Sequence, residues 1–99
     1  MEKRLPHYRL ADIQVQMIDI QHMNLTMVAQ DGIRLAGMAK ADALAVVRGL
    51  SRTDFYKSMT TQQNYKIWQD VYHADWCGKP LYVKFQQADE YFVVSFKEL

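Results

Sequence analysis

The sequence predicts an α+β fold in which N-terminal helices pack on a C-terminal antiparallel β-sheet. The first half of the chain has apolar residues at helical spacing, whereas the segments after Leu50 are rich in Tyr, Phe, Val, Ile and Thr and alternate with period two. No alternating strand-helix-strand pattern is present, so a parallel sheet is not expected. The length of 99 residues and the 49% hydrophobic content indicate one domain over residues 1–99.

Three helices are predicted in the N-terminal half, over residues 10–21, from 27 to about 35, and over 40–48. Apolar residues at positions 10, 13, 17 and 20 form the stripe of an amphipathic first helix. Thr26 is a suitable N-cap for the second helix, although Gly32 inside it costs roughly 1 kcal/mol relative to alanine. The third segment is rich in alanine, and Gly49 suits a left-handed C-terminal cap.

Four strands are predicted in the C-terminal half, with short turn-forming segments between them. They are Phe55–Thr61, Lys66–His73, Pro80–Gln87 and Tyr91–Lys97. Connections this short indicate an antiparallel meander. Alternation places one apolar set on the face that the helices cover and one polar set on the other face. The apolar set is Leu81, Val83, Phe85, Phe92, Val94 and Phe96, and the polar set is Tyr82, Lys84 and Gln86.

The orientation of the second predicted strand stays open, because Ile67, Gln69, Val71 and His73 share one face. If the two aliphatic residues face the core, Gln69 meets Tyr82 on the polar face only through a bulge or a twist.

Charge and cysteine content narrow the function classes. Twelve Lys and Arg against eleven Asp and Glu give a formal net charge of +1, which favours neither nucleic acids nor membranes as partners. The single cysteine, Cys77, excludes an intramolecular disulfide and is typical of a reducing compartment. No segment approaches the roughly 20 apolar residues of a membrane span, and no signal peptide is evident. We expect a cytoplasmic protein.

No nucleotide-binding, hydrolase or metal-site motif is present, and the three histidines are far apart in sequence, so neither a metal nor a cofactor is expected. The polar residues of the predicted sheet have two interpretations. They are an ordinary solvated face of an antiparallel sheet, or they are a functional site. These residues are Lys57, Gln69, His73, Tyr82 and Lys84.

Five segments favour the second interpretation. The sequence reads MEKRLPH at 1–7, DFYKSMTT at 54–61, IWQDVY at 67–72, LYVK at 81–84 and VSFKEL at 94–99. In these segments the chain resembles the MqsR toxins, which are bacterial messenger-RNA endonucleases of toxin-antitoxin pairs with a RelE-like fold. The resemblance is specific over residues 1–10 and 50–99, and residues 11–48 match only in helical pattern.

The resemblance implies a metal-independent endoribonuclease that cuts single-stranded mRNA at GC-containing triplets. The family's cleavage residues correspond to Lys57, Gln69 and Tyr82. In that family, the RNA 2′-hydroxyl attacks the neighbouring phosphate and leaves a cyclic phosphate and a free 5′-hydroxyl, and the resemblance implies the same reaction here. Such a reaction needs a base, a proton donor and groups that stabilise the phosphorane. We assign phosphate stabilisation to Lys57, hydrogen-bond donation to Tyr82 and orientation of the sugar or phosphate to Gln69.

The resemblance also implies two partners, mRNA and a cognate antitoxin with a zinc-bearing N-terminal domain. Family members often carry arginine just after WQDVY, where this chain reads HADW. We therefore expect Arg52, Lys84 and His73 to supply the contacts to RNA. Two other hypotheses are a non-catalytic module that retains the fold and binds RNA or the antitoxin, and an α+β domain that shares only the scaffold.

Overall fold

The computed structural model describes residues 1–99 and contains three α-helices and six β-strands, which confirms the α+β class. In chain order they are β1 (Glu2–Lys3), α1 (Leu10–Gln16), β2 (Asn24–Leu25), α2 (Met27–Leu35), α3 (Lys40–Gly49), β3 (Phe55–Thr60), β4 (Trp68–Trp76), β5 (Lys79–Ala88) and β6 (Tyr91–Glu98). Single 3-10 turns lie at Ile20–His22 and Arg52–Asp54. None of the helices has the length and apolar character needed to span a membrane.

The strands form one sheet in the order β1-β3-β4-β5-β6-β2. The predicted antiparallel meander from β3 to β6 is confirmed. At the edges, β1 pairs antiparallel with β3, and β2 pairs parallel with β6. These edge strands have two residues each, too few for an alternating pattern to be recognised in the sequence.

The hydrophobic core combines all three helices with one face of the sheet. Ile13 of α1, Ile33 of α2 and Val47 of α3 belong to the same buried cluster as the strand residues. The alternation predicted for β5 and β6 is confirmed, because all six apolar residues assigned to the covered face are buried in this cluster. The helix residues of this cluster all pack on this one face of the sheet.

The second helix begins as predicted, with the Thr26 hydroxyl accepting a hydrogen bond from the backbone N–H of Ala29 at 2.9 Å. Helix propensity disfavours glycine at position 32, but packing against the sheet requires it. A β-carbon at Gly32 would overlap the backbone carbonyl oxygen of Phe96 in β6. The glycine therefore allows α2 to lie directly against the sheet.

The third helix ends at Gly49, as predicted, but the predicted end of the first helix and the predicted left-handed cap at Gly49 are wrong. The first helix ends at Gln16 because the apolar stripe is buried only as far as Met17, whereas Ile20 is 43% exposed and starts a separate 3-10 turn. The left-handed cap is not at Gly49, which is the last residue of α3. It is Gly37, with φ of 78°, which ends α2 in a Schellman motif.

The strand boundaries shift by a few residues from the prediction. The largest change is in β4, which starts at Trp68 and continues to Trp76. It ends there because Cys77 and Gly78 both have positive φ and form a two-residue hairpin turn. The turn itself lies in the predicted segment, DWCGK.

Candidate active site

The face of the sheet opposite the core is organised around Val71. In the strand register, Lys57 of β3 pairs with Val71 of β4, Val71 pairs with Lys84 of β5, and Lys84 pairs with Ser95 of β6. Directly paired residues share a face of the sheet. Val71 is fully buried although it lies outside the core cluster. It is therefore the buried centre of a largely polar surface, which we call the open face.

Gln69 and His73 lie on either side of Val71 along β4. Gln69 pairs with Gln86 of β5, and His73 pairs with Tyr82 of the same strand. All four side chains share the open face because the register of β4 against β5 has no interruption. The open question about β4 is answered: Val71 does not face the core, and Gln69 and Tyr82 need no bulge between them to share a face.

A bulge does occur, in β3, and it determines where Lys57 lies. Phe55 pairs with Tyr72 on the core side, but Lys57 pairs with Val71 on the open face. Phe55 and Lys57 are two positions apart, so without an extra residue between them both would lie on the same face. Tyr56 is that residue. The bulge lets Phe55 pack edge-on against Tyr72, with ring centres 5.5 Å apart, while Lys57 joins the open face.

The extra residue also contributes to the site. The Tyr56 ring stacks on the imidazole of His73, with ring centres 4.3 Å apart and planes 24° from parallel. The His73 ring centre is 6.3 Å from that of Tyr82. His73 is therefore held between two tyrosines.

Lys57 is held by the N-terminal edge strand. Its Nζ donates a hydrogen bond to Oε1 of Glu2 at 2.7 Å, and β1 brings Glu2 there by pairing with β3. This hydrogen bond and the charge of Glu2 raise the pKa of Lys57, and the same contact lowers the pKa of Glu2. Lys57 is therefore a cation at neutral pH.

Tyr82 keeps its proton at neutral pH. Burial raises the pKa of its phenol, and the nearby charge of Lys57 only partly opposes this effect. The Nζ atom of Lys97, which pairs with Tyr82 from β6, lies 5.3 Å from the centre of the phenol ring. Tyr82 thus offers a hydrogen-bond donor in a basic environment.

The third predicted catalytic residue, Gln69, has a fixed side chain. Its Nε2 donates to Oε1 of Gln86 at 2.8 Å. Lys84 lies between this amide pair and Tyr82 along the face, and burial together with the charge of Lys97 lowers its pKa. The open face is therefore locally basic, with three lysines, although the whole chain has a formal net charge of only +1.

The structure brings together five of the six predicted site residues and leaves Arg52 apart. Lys57, Gln69, His73, Tyr82 and Lys84 share the open face, whereas the Arg52 guanidinium lies 4.8 Å from the ring centre of Phe55, which points to the core side. Arg52 follows α3 in a 3-10 turn that precedes the bulge. The predicted contact between Arg52 and RNA on this face therefore has no support from its position.

Sequence reasoning missed three side chains that contact the predicted site residues: Lys97 beside Tyr82, Tyr56 on His73, and Glu2 on Lys57. The sequence pattern could have identified Lys97, because this residue follows buried Phe96 in an alternating strand. The pattern could not have identified Tyr56, because the position of this residue depends on the bulge. It could not have identified Glu2 either, because β1 is too short to be recognised. No group of three or more His, Cys, Asp and Glu side chains is arranged to hold a metal ion.

Beneath the site, a buried carboxylate holds the N-terminal segment in place. Asp70 of β4 is fully buried and accepts hydrogen bonds from the Ser58 hydroxyl at 2.6 Å and from the backbone N–H groups of His7 and Tyr8 at 3.1 and 2.9 Å. This segment begins with β1, so Asp70 indirectly supports the Glu2–Lys57 pair. Asp70 and Ser58 both lie in the motif segments that carry the family resemblance.

Comparison with known proteins identifies the family of this chain. The model of the family described as "Motility quorum-sensing regulator, toxin of MqsA" matches residues 5–98. The mRNA interferase toxin MqsR of Escherichia coli (strain K12) is 37% identical over 98 residues, which are 99% of each chain. This chain belongs to the MqsR toxin family.

Proposed function

We propose that this protein is a toxin that cleaves single-stranded mRNA and that a cognate antitoxin neutralises. The observation that carries the proposal is the meeting of Lys57, Gln69 and Tyr82 around Val71 on the face of the sheet opposite the hydrophobic core. The relative's name, mRNA interferase toxin, supports the reaction class, and the family description, toxin of MqsA, supports an antitoxin partner. The proposal includes a RelE-like arrangement in one toxin domain over residues 1–99 and a zinc-bearing antitoxin.

The reaction is an attack of the RNA 2′-oxygen on the adjacent phosphorus. The bond between the 2′-oxygen and phosphorus forms, the bond from phosphorus to the 5′-oxygen breaks, and the 2′-proton passes to a base. Lys57, held as a cation by Glu2, stabilises the additional negative charge on the phosphorane. Tyr82, with a raised pKa, donates a proton to the departing 5′-oxygen. The fixed amide of Gln69 orients the sugar or the phosphate.

His73 is our candidate for the base. Lys57 is a cation, Tyr82 keeps its proton, and the Gln69 amide does not titrate, so none of them accepts a proton at neutral pH. Imidazole is the side chain that most often does so in enzymes. His73 pairs directly with Tyr82, and its ring orientation is fixed by Tyr56. An acid and a base on adjacent strands suit a reaction that deprotonates one oxygen and protonates another.

The proposed reaction uses no metal. The open face presents ammonium, amide, phenol and imidazole groups, and the nearby carboxylate of Glu2 is paired with Lys57. A divalent cation among three lysines would be repelled, while Lys57 already supplies a positive charge for the phosphate.

The test is cleavage of a defined single-stranded RNA by the purified protein in excess EDTA. We expect products with a 2′,3′-cyclic phosphate and a free 5′-hydroxyl. The matched control is the same RNA with a 2′-O-methyl group at the cleaved nucleotide, which removes the nucleophile and should not be cut. Products with a 5′-phosphate, or loss of cleavage in EDTA, would contradict the mechanism. A protein that binds the RNA and never cuts it would support the binding-module hypothesis instead.

A further inference from the structure

A cleft of about 270 Å³ opens beside Gln69 on the open face. It lies between the strands β5 and β6 and the start of α2. Its polar wall is formed by Gln69, Gln86, Lys84 and Ser95, and its apolar surface includes Val28 and Val93. The cleavage mechanism above uses neither Val28 nor Val93, and Gln86 enters it only through the hydrogen bond that fixes Gln69.

We propose that this cleft binds the base of a nucleotide next to the cleaved phosphate, and that Gln86 helps to determine which base is accepted. The proposal rests on the proposed function and adds to it the site of base recognition. Proteins that read single-stranded RNA hold unstacked bases against side chains and bond to their edges. The cleft offers both kinds of surface. It is lined by residues of β4 and β5, the two paired strands that also carry Gln69 and Tyr82.

The size of the cleft suits a single base. Small-molecule sites in proteins usually begin at roughly 300 Å³, so a cleft of about 270 Å³ holds one flat ring system better than a complete nucleotide. Val93 lies on the open face because it pairs with Gln86. Val28, near the start of α2, is 64% exposed in the free protein. An aromatic ring placed against these two valines would cover apolar surface that water now contacts.

The polar wall can read a base edge. Gln69 and Gln86 form one hydrogen bond to each other at 2.8 Å. Each amide has one acceptor oxygen and an NH₂ group with two donors. Whichever amide donates in the pair, one oxygen and one NH₂ group retain bonding capacity toward the cleft. A free acceptor and a free donor on the same wall of the cleft can bond to a base edge that presents both a donor and an acceptor.

Lys84 connects the cleft to the reaction centre. It lines the cleft, and it also pairs with Val71, around which Lys57 and Tyr82 lie. An ammonium group at this position suits the phosphate that joins a base in the cleft to the cleaved linkage. The base and the reacting phosphate would then belong to neighbouring nucleotides.

The principal test replaces Gln86 with methionine, which keeps the length of the side chain and removes the amide. Single-turnover cleavage rates are measured on RNAs that differ only in the bases flanking the cleaved phosphate. We expect the ratio between the best and the worst base at one position to fall roughly 10-fold, because the site loses hydrogen bonds to the favoured base. Gln87→Met is the matched control, since Gln87 is exposed and adjacent on the same strand but pairs with buried Phe92. Its ratios should equal those of the wild type.

Unchanged ratios would overturn the proposal, even if Gln86→Met slows the cleavage of all RNAs equally through the lost hydrogen bond to Gln69. A second variant, Val28→Ala, changes an exposed helix position and does not threaten the fold. We expect it to weaken binding of the favoured RNA, whereas Leu35→Ala, exposed near the other end of α2, should not. Equal affinities for Val28→Ala and the wild type would also count against the cleft.

A binding measurement separates this proposal from the catalytic one. Trinucleotides with a 2′-O-methyl group at the reacting nucleotide are titrated into isotope-labelled protein, and the NMR signals of the Val93 methyls and the Gln86 side-chain amide are followed. Shifts that depend on one base support the cleft, even when the wild type fails to cut RNA and the proposed function is wrong. Cleavage of RNA without any shift at these groups would refute the cleft and leave the proposed function intact.

Discussion

Replacing Asp70 with asparagine is expected to release the N-terminal segment from the sheet. The two carboxylate oxygens divide three donors: Oδ1 accepts from the Ser58 hydroxyl and the His7 backbone N–H, and Oδ2 accepts from the Tyr8 backbone N–H. Asparagine has one acceptor oxygen. In either orientation, its NH₂ group faces the N–H of His7 or of Tyr8, so two donors point at each other inside the protein.

The expected cost is about 2–4 kcal/mol of the free energy of unfolding. A hydrogen bond to a charged acceptor contributes roughly 1.5–3 kcal/mol. A buried donor without a partner adds a desolvation penalty of roughly 1–3 kcal/mol. The chain avoids part of this penalty when the N-terminal segment detaches locally from the sheet. Because a domain of this length has a total stability of roughly 5–15 kcal/mol, the loss is easily measured. The buried position of Asp70 means that solvent does not replace the missing acceptor.

Urea unfolding measures the loss, and amide hydrogen exchange locates it. We expect faster exchange at His7 and Tyr8, while the central strands β4 and β5 keep their relative protection. Asp75→Asn, an exposed position on the same strand, is the matched control and should change stability by less than about 0.5 kcal/mol. An Asp70→Asn variant with the wild-type midpoint and protected His7 and Tyr8 amides would refute the role assigned to this carboxylate.

Three further outcomes are expected. Gly32→Ala should lower stability by about 1–3 kcal/mol in thermal unfolding, because the added methyl overlaps the carbonyl oxygen of Phe96; an unchanged melting temperature would contradict this packing. Cys77→Asn should raise the free energy of unfolding by roughly 0.5 kcal/mol, because Cys77 has φ of 50° and asparagine tolerates this region better. Cys77→Ser should leave cleavage unchanged, and loss of cleavage in this variant would show a role of Cys77 beyond the turn. His73→Gln should slow single-turnover cleavage by roughly 100-fold, because an amide cannot accept the 2′-proton; a folded variant that cuts RNA at the wild-type rate would place the base elsewhere.

The sequence allowed prediction of those parts of the fold that depend on repeated patterns. The faces of β5 and β6 follow from strict alternation over eight or more residues, and the start of α2 follows from the capping chemistry of Thr26. The first helix was predicted too long because an apolar residue at the right spacing, Ile20, is exposed rather than buried. Spacing shows which residues share a helix face, but not whether that face meets the core along its whole length.

The candidate site depends on features without a repeating pattern. Lys57 and Tyr82 were identified through family resemblance, and Lys57 reaches the open face only because Tyr56 is bulged out of the ladder. Alternation alone would place Lys57 on the same side as Phe55. The contact between Glu2 and Lys57 joins residues 55 positions apart through a strand of two residues. Such a pairing is set by the tertiary structure, so local sequence reasoning does not find it.

The most direct measurement of the central claim is single-turnover cleavage and RNA affinity for Tyr82→Phe. This change removes one hydroxyl group and keeps the ring that Lys97 and His73 contact. If Tyr82 donates to the departing oxygen in the transition state, cleavage should slow by roughly 100-fold or more while RNA affinity changes little. Lys57→Ala should differ: it should lower RNA affinity and reduce the salt dependence of that affinity, and it should also slow cleavage. A folded Tyr82→Phe variant that cuts RNA at the wild-type rate would contradict the assignment of Tyr82 and the mechanism built on it.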